Sequence, residues 1–141
     1  MLAAVNAQRA ALGRPEWPGE LTAEALGAGC AGASGAALDA GRTPEPEALR
    51  CAVRYLLGLL AERAPGRAVE VRIPPYAAVQ CVAGPRHTRG TPPNVVETDP
   101  VTWLRLATGR TSWSSADPDR AVSASGPRAD QSGYQPQAPA E

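Results

Sequence analysis

Between Leu49 and Ile73 the spacing of apolar residues changes from a helical to an extended period. Leu49, Val53, Leu56 and Leu60 recur at intervals of four, three and four, which places them on one stripe of a helix. Leu57 and Leu59 widen that stripe. Pro46 suits the first turn, Glu45 and Glu47 sit at the positive end, and Pro65-Gly66 stops the helix. Immediately beyond, Val69, Val71 and Ile73 alternate with Ala68, Glu70 and Arg72, the pattern of a strand with one buried face. A helix that must bury one stripe, followed at once by a strand that must bury one face, points to an α+β arrangement in which each covers the other.

The remaining elements follow from punctuation. Pro74-Pro75-Tyr76 turns the chain, and Val79, Cys81 and Ala83 alternate in a second strand ending at Gly84-Pro85. The two strands read as an antiparallel hairpin. A polar loop runs from Arg86 to Pro93, and Asn94 to Thr98 gives a short third strand carrying Val95 and Val96. Asp99-Pro100 is a helix start, an N-cap acceptor followed by proline at the first helical position. Trp103, Leu106 and Ala107 share one face of that helix, with Val101 and Leu104 beside them, and Gly109 is its expected C-terminal stop. Thr111 or Ser112 caps a further short helix holding Trp113, and Val122 and Ala124 suggest a last strand ending at Gly126.

The flanks differ in texture. Residues 1–43 are rich in alanine and glycine. A short helix is expected around Leu2, Val5, Arg9 and Leu12, and a second from Leu21 past Leu26. Gly27, Gly29, Gly32 and Gly35 weaken the second by about 1 kcal/mol each relative to alanine. The zone therefore reads as either a loose helical hairpin or a partly disordered extension. Residues 127–141 are polar and proline-rich and read as a tail. The expected organisation is an extension over 1–43, a domain over 44–126 and the tail.

Composition narrows the function classes. The formal net charge is zero, and all fourteen basic residues are arginine. A balanced chain lacks the concentrated basic surface of a nucleic-acid binder. The three cysteines, Cys30, Cys51 and Cys81, are widely spaced and form no CxxC pair for zinc or redox chemistry. Cys51 falls in a helical pattern and Cys81 in a strand pattern, where a thiol acts as a small hydrophobe, and a reducing cytoplasm is expected. No apolar run approaches the length of a membrane span, and Met1 to Leu12 lacks the layout of a signal peptide.

The run CVAGPRHTRGTPPNVVETDPVTWLRLATGR, Cys81 to Arg110, resembles a family of short bacterial, largely actinobacterial, sterol-carrier-like proteins. VEVRIPPYAAVQ at Val69 to Gln80 and VSASGPRAD at Val122 to Asp130 are similar too, so the likeness covers Leu49 to Asp130. It implies a sterol-carrier-like fold: an open, mainly antiparallel twisted sheet with helices on one face. It also implies an apolar tunnel between sheet and helices for a sterol, fatty acid or acyl thioester. Val95, Trp103, Leu104, Leu106 and Trp113 are the candidates to line that pocket, the alternative for each being plain core. The segment Gln131 to Gln137 departs from the leucine-rich cover of the family, and glutamines do not seal an apolar cavity without leaving amides unpaired.

Arg86, His87 and Arg89 make a cationic loop beside Gly84 and Gly90. It reads either as a clamp for a lipid carboxylate or phosphate, or as a solvated loop braced by Glu97 or Asp99. An enzyme needs a nucleophile, a base and an orienting group, and one histidine without an acidic neighbour in sequence supports that poorly. The expectation is a non-catalytic carrier or sensor of an apolar ligand, without cofactor, metal or membrane anchor. The alternative is a protein-interaction module presenting a helix stripe or sheet edge to a protein partner.

Overall fold

The computed structural model describes residues 1–84 and 94–113, and residues 122–125 for their backbone. In chain order the elements are α1 (Leu2–Ala11), α2 (Ala23–Asp39), α3 (Pro46–Arg63), β1 (Val69–Ile73), β2 (Ala77–Cys81), β3 (Asn94–Thr98), α4 (Pro100–Ala107) and β4 (Val122–Ser125). The strands form one open sheet in the order β2-β1-β3-β4. β1 pairs antiparallel with β2 and parallel with β3, and β3 pairs antiparallel with β4. The sheet is thus mixed, mainly antiparallel, as expected for the fold.

The core assembles as the patterning dictates. On α3, Leu49, Val53, Leu56, Leu57 and Leu60 are buried, and on β1 so are Val69, Val71 and Ile73. In register, Val79, Val71, Val96 and Ala124 make one row across the sheet. α3 packs against β2, with α4 beside it on α3. Trp103, Leu104, Leu106 and Ala107 of α4 close the same cluster. Asp99 caps α4 through Oδ1, which accepts from the Thr102 N–H at 3.0 Å, and Pro100 follows at the first position. Buried Asn94 donates from Nδ2 to the Ala68 carbonyl at 2.9 Å, pinning the start of β3 to the entry of β1.

The Ala/Gly-rich zone is neither loose nor irregular. α2 is a continuous helix of seventeen residues, capped by Thr22, and its residues join the same core as α3. Three of the four glycines that weaken it in isolation, Gly27, Gly29 and Gly35, are where neighbours come close. A Cβ built on Gly27 would lie 2.6 Å from the Tyr55 ring, one on Gly29 2.7 Å from the Trp17 ring, and one on Gly35 2.6 Å from the Arg110 guanidinium. Tertiary packing here outweighs intrinsic propensity. Trp17, in the link between α1 and α2, is a clip: its backbone N–H donates to Asn6 Oδ1 at 2.7 Å, its indole donates to the Glu20 carbonyl at 3.1 Å, and Arg9 lies over its ring. Gln8 of α1 is buried and accepts from the Glu45 N–H at 2.6 Å, tying α1 to the start of α3.

Two long-range devices set the ends. Arg110, just past α4, makes a forked ion pair with Asp39 at the end of α2, at 2.8 and 2.9 Å. Its guanidinium holds the Asp39 carboxyl below the usual aspartate range. At the other junction, Gly66 has φ of 147° and lies against the Val82 carbonyl, 2.2 Å from where a Cβ would be. Val82 itself adopts φ of 65°, donates to the Ala64 carbonyl at 2.6 Å and accepts from Ala68 at 3.0 Å. The α3–β1 link and the end of β2 are therefore one knot of backbone, and only a glycine fits at its centre.

Gly66→Ala is expected to lower unfolding stability by about 2 kcal/mol or more in urea titrations, through backbone strain and the Val82 contact. Asp39→Asn tests the other device. A carboxyl whose folded pKa is depressed contributes stability above its unfolded value, and that contribution is lost as pH falls through the folded value. The melting temperature of the variant should therefore fall below wild type at pH 7, with the gap narrowing below about pH 4, the ordinary aspartate range.

Candidate functional site

Four of the residues expected to line a pocket stand together. Trp103, Leu104 and Leu106 are buried on α4, and Trp113, half-buried, packs against the same cluster. They lie with α3 and with Val71 and Val96 of the sheet. The fifth, Val95, does not join them. It is in register with Glu70 of β1 and Ser125 of β4, which puts it on the sheet face opposite Val71. Because successive strand residues point to opposite faces, a one-residue choice decides this, and Val96 rather than Val95 takes the core side. Arg86, His87 and Arg89 lie outside the described residues, as does Gln131 to Gln137.

One polar atom stands out in the cluster. The indole Nε1–H of Trp103 is buried and has no hydrogen-bond partner among the described residues, and the residue as a whole is 2% exposed. Buried indole donors ordinarily find an acceptor, and leaving one unpaired costs about 1–3 kcal/mol. The hydroxyl of Ser34, on α2, is the other buried side-chain group without a partner among the described residues.

The helical side of the molecule carries a different site, which sequence reading missed. A groove of about 380 Å³ runs where α1, α2 and α3 meet, lined among others by Ala23, Gly27, Arg50, Cys51, Arg54 and Tyr55. A second, of about 330 Å³, adjoins it and shares Ala23, Arg54 and Tyr55. None of the residues expected to line a pocket borders either groove. Cys51 sits in the first groove half-buried, and its thiol interacts with that of Cys30, fully buried on α2. Sequence spacing hides this pair, because the cysteines lie on separate helices. The only available signal is the run of small residues on α2, which allows close helix packing.

The electrostatics of the three thiols differ by environment. Hydrogen bonding from Cys30 brings the Cys51 thiol down to about 7, while the same pairing, with burial, pushes Cys30 far up. Burial pushes Cys81 up to about 11. Cys51 is therefore the thiol expected to react at neutral pH. Iodoacetamide labelling at pH 7 should modify Cys51 at least about tenfold faster than Cys81, read by peptide mass mapping.

Among the described residues no helix is long and apolar enough to cross a membrane. None of the curated protein sequences matches the chain. Residues 45–137, from the N-cap of α3 onward, match the family model described as "Bacterial SCP ortholog". That span holds α3, all four strands and α4, the elements that assemble the sheet and its helical cover. The chain belongs to the bacterial sterol-carrier-protein-like family.

Proposed function

We propose that the protein binds an apolar ligand with an acceptor headgroup, such as a fatty acid, an acyl thioester or a hydroxylated sterol, and performs no chemistry on it. Membership of a sterol-carrier-like family suggests a lipid-binding role. The observation that carries the reading for this chain is the indole donor of Trp103, unpaired among the described residues in an otherwise apolar cluster. In the ligand-free protein that donor is a standing cost. A carbonyl, carboxylate or hydroxyl oxygen arriving with an apolar chain removes it.

The pocket proposed is bounded by Trp103, Leu104 and Leu106 of α4, Trp113 beyond it, and Val96 of β3. Binding would add burial of hydrocarbon at about 25 cal/mol per Å² and one directional bond that fixes the headgroup. The non-catalytic reading is supported by the chain's content, which offers a single histidine.

Native mass spectrometry of the purified protein should reveal a co-purifying lipid, and a fluorescent fatty acid should be displaced by unlabelled fatty acid at micromolar protein. Trp103→Phe removes the donor and keeps an aromatic ring. The variant should remain folded, lose about five- to tenfold in fatty-acid affinity, the worth of one neutral hydrogen bond, and bind a pure hydrocarbon probe as before. Absence of both lipid and displacement would reject the carrier reading and leave the protein-interaction module in its place.

A further inference from the structure

The groove between α1, α2 and α3 is lined by one thiol, Cys51, and a second, Cys30, is buried on the helix that packs against it. We propose that Cys51 and Cys30 form a redox-active pair, in which a hydroperoxide entering the groove oxidises Cys51 and Cys30 resolves the product as an intramolecular disulfide joining α3 to α2. The inference does not rest on lipid binding, since none of Trp103, Leu104, Leu106, Trp113 and Val96 lines the groove.

Three observations carry it. First, access is one-sided: Cys51 lines the open groove, whereas Cys30 is fully buried behind it, so a reagent meets Cys51 first. Second, the two helices are in close contact at this level. Gly27, three residues before Cys30, receives the Tyr55 ring, four residues after Cys51, so on these two helices, running in opposite directions, Cys30 and Cys51 come to the same level. A disulfide needs Cα atoms within about 7 Å, which helices separated by glycine and small side chains can reach. Third, the groove brings the Met1 amino group near Cys51, a positive charge that favours its thiolate. From α3 the groove receives Arg50, Arg54, Glu47 and Tyr55, from α1 the Met1 end, and Glu24 of α2 lines the adjoining groove that shares Arg54 and Tyr55. Glu47 is engaged with Arg50 at 3.7 Å. The Cys51 thiol at about 7 is the consequence of the Cys30 hydrogen bond in that setting.

The chemistry balances as follows. The Cys51 thiolate attacks one peroxide oxygen. The O–O bond breaks, the alkoxide or hydroxide leaves and takes a proton, and Cys51 becomes a sulfenic acid. The Cys30 sulfur, giving up its proton, then attacks the Cys51 sulfur. The S–S bond forms, the S–O bond breaks, and hydroxide departs with that proton as water. In sum, two thiols and one hydroperoxide give one disulfide, one alcohol or water, and one further water. A small dithiol reductant returns the pair by exchange at the exposed Cys51 sulfur.

The test uses the whole chain at neutral pH with one equivalent of hydrogen peroxide. Intact mass should fall by two hydrogens, a Cys30–Cys51 linked peptide should appear, and Cys81 should remain open to alkylation after unfolding. A small dithiol should restore the starting mass. In Cys30→Ala, whose folding is checked by circular dichroism, Cys51 should stop at the sulfenic acid and be trapped by dimedone. Its alkylation midpoint should also rise from about 7 toward the ordinary thiol value. The wild-type mapping needs no variant. Recovery of both thiols unmodified, oxidation of Cys81 before Cys51, or a Cys51 disulfide between two molecules would each overturn the proposal.

Discussion

α3 is the member on which every described helix and the edge of the sheet depend, because it is buried on two sides at once. One stripe, Leu49, Val53, Leu56 and Leu60, is buried in the core shared with β1 and α4, and α3 lies against β2. On another side, Cys51 and Tyr55 meet α2, with buried Ala48 and Ala52 at the same helical spacing. The two sides use different physics. The first buries large side chains and draws on hydrophobic area, at about 1.5–3 kcal/mol for each full side chain. The second buries small ones and draws on close approach, so that backbone and rings pack without voids. The helical zone at the N-terminus is therefore part of the same core and not an appendage to it.

This division explains what the sequence revealed. The large-residue side was legible: the stripe on α3, the alternation in β1, the Asp99-Pro100 start of α4 and its Gly109 stop each follow a local rule, and the structure follows them. The small-residue side was not. A helix of alanine and glycine carries little periodic signal, and its stability comes from contacts made by residues far away, such as Tyr55, Trp17 and Arg110. The Arg110–Asp39 pair spans seventy-one positions, and no local rule could suggest it.

The same contrast governs the candidate sites. Trp103, Leu104 and Leu106 were legible as a group because helical spacing places apolar residues together, and Trp113, beyond α4, joins them only in the fold. Val95 was misplaced by one residue, since in a short strand of two adjacent valines the alternation does not choose between them. Register with Glu70 makes the choice. The Cys30–Cys51 pair was invisible because its two halves belong to different helices, and each alone reads as a small hydrophobe. Nor could sequence show that the Trp103 indole lacks a partner among the described residues, which is a property of the packing around it.

The central claim is that the Trp103 indole donor waits for an acceptor brought by an apolar ligand. Indole N–H resonances report this directly, and with three tryptophans the spectrum holds few enough signals to assign by substitution. On titration with a fatty acid, the Trp103 indole proton should shift downfield and saturate with the ligand, as a hydrogen bond forms where none existed. An indole signal unmoved at saturating fatty acid, while binding is registered elsewhere in the spectrum, would contradict the account.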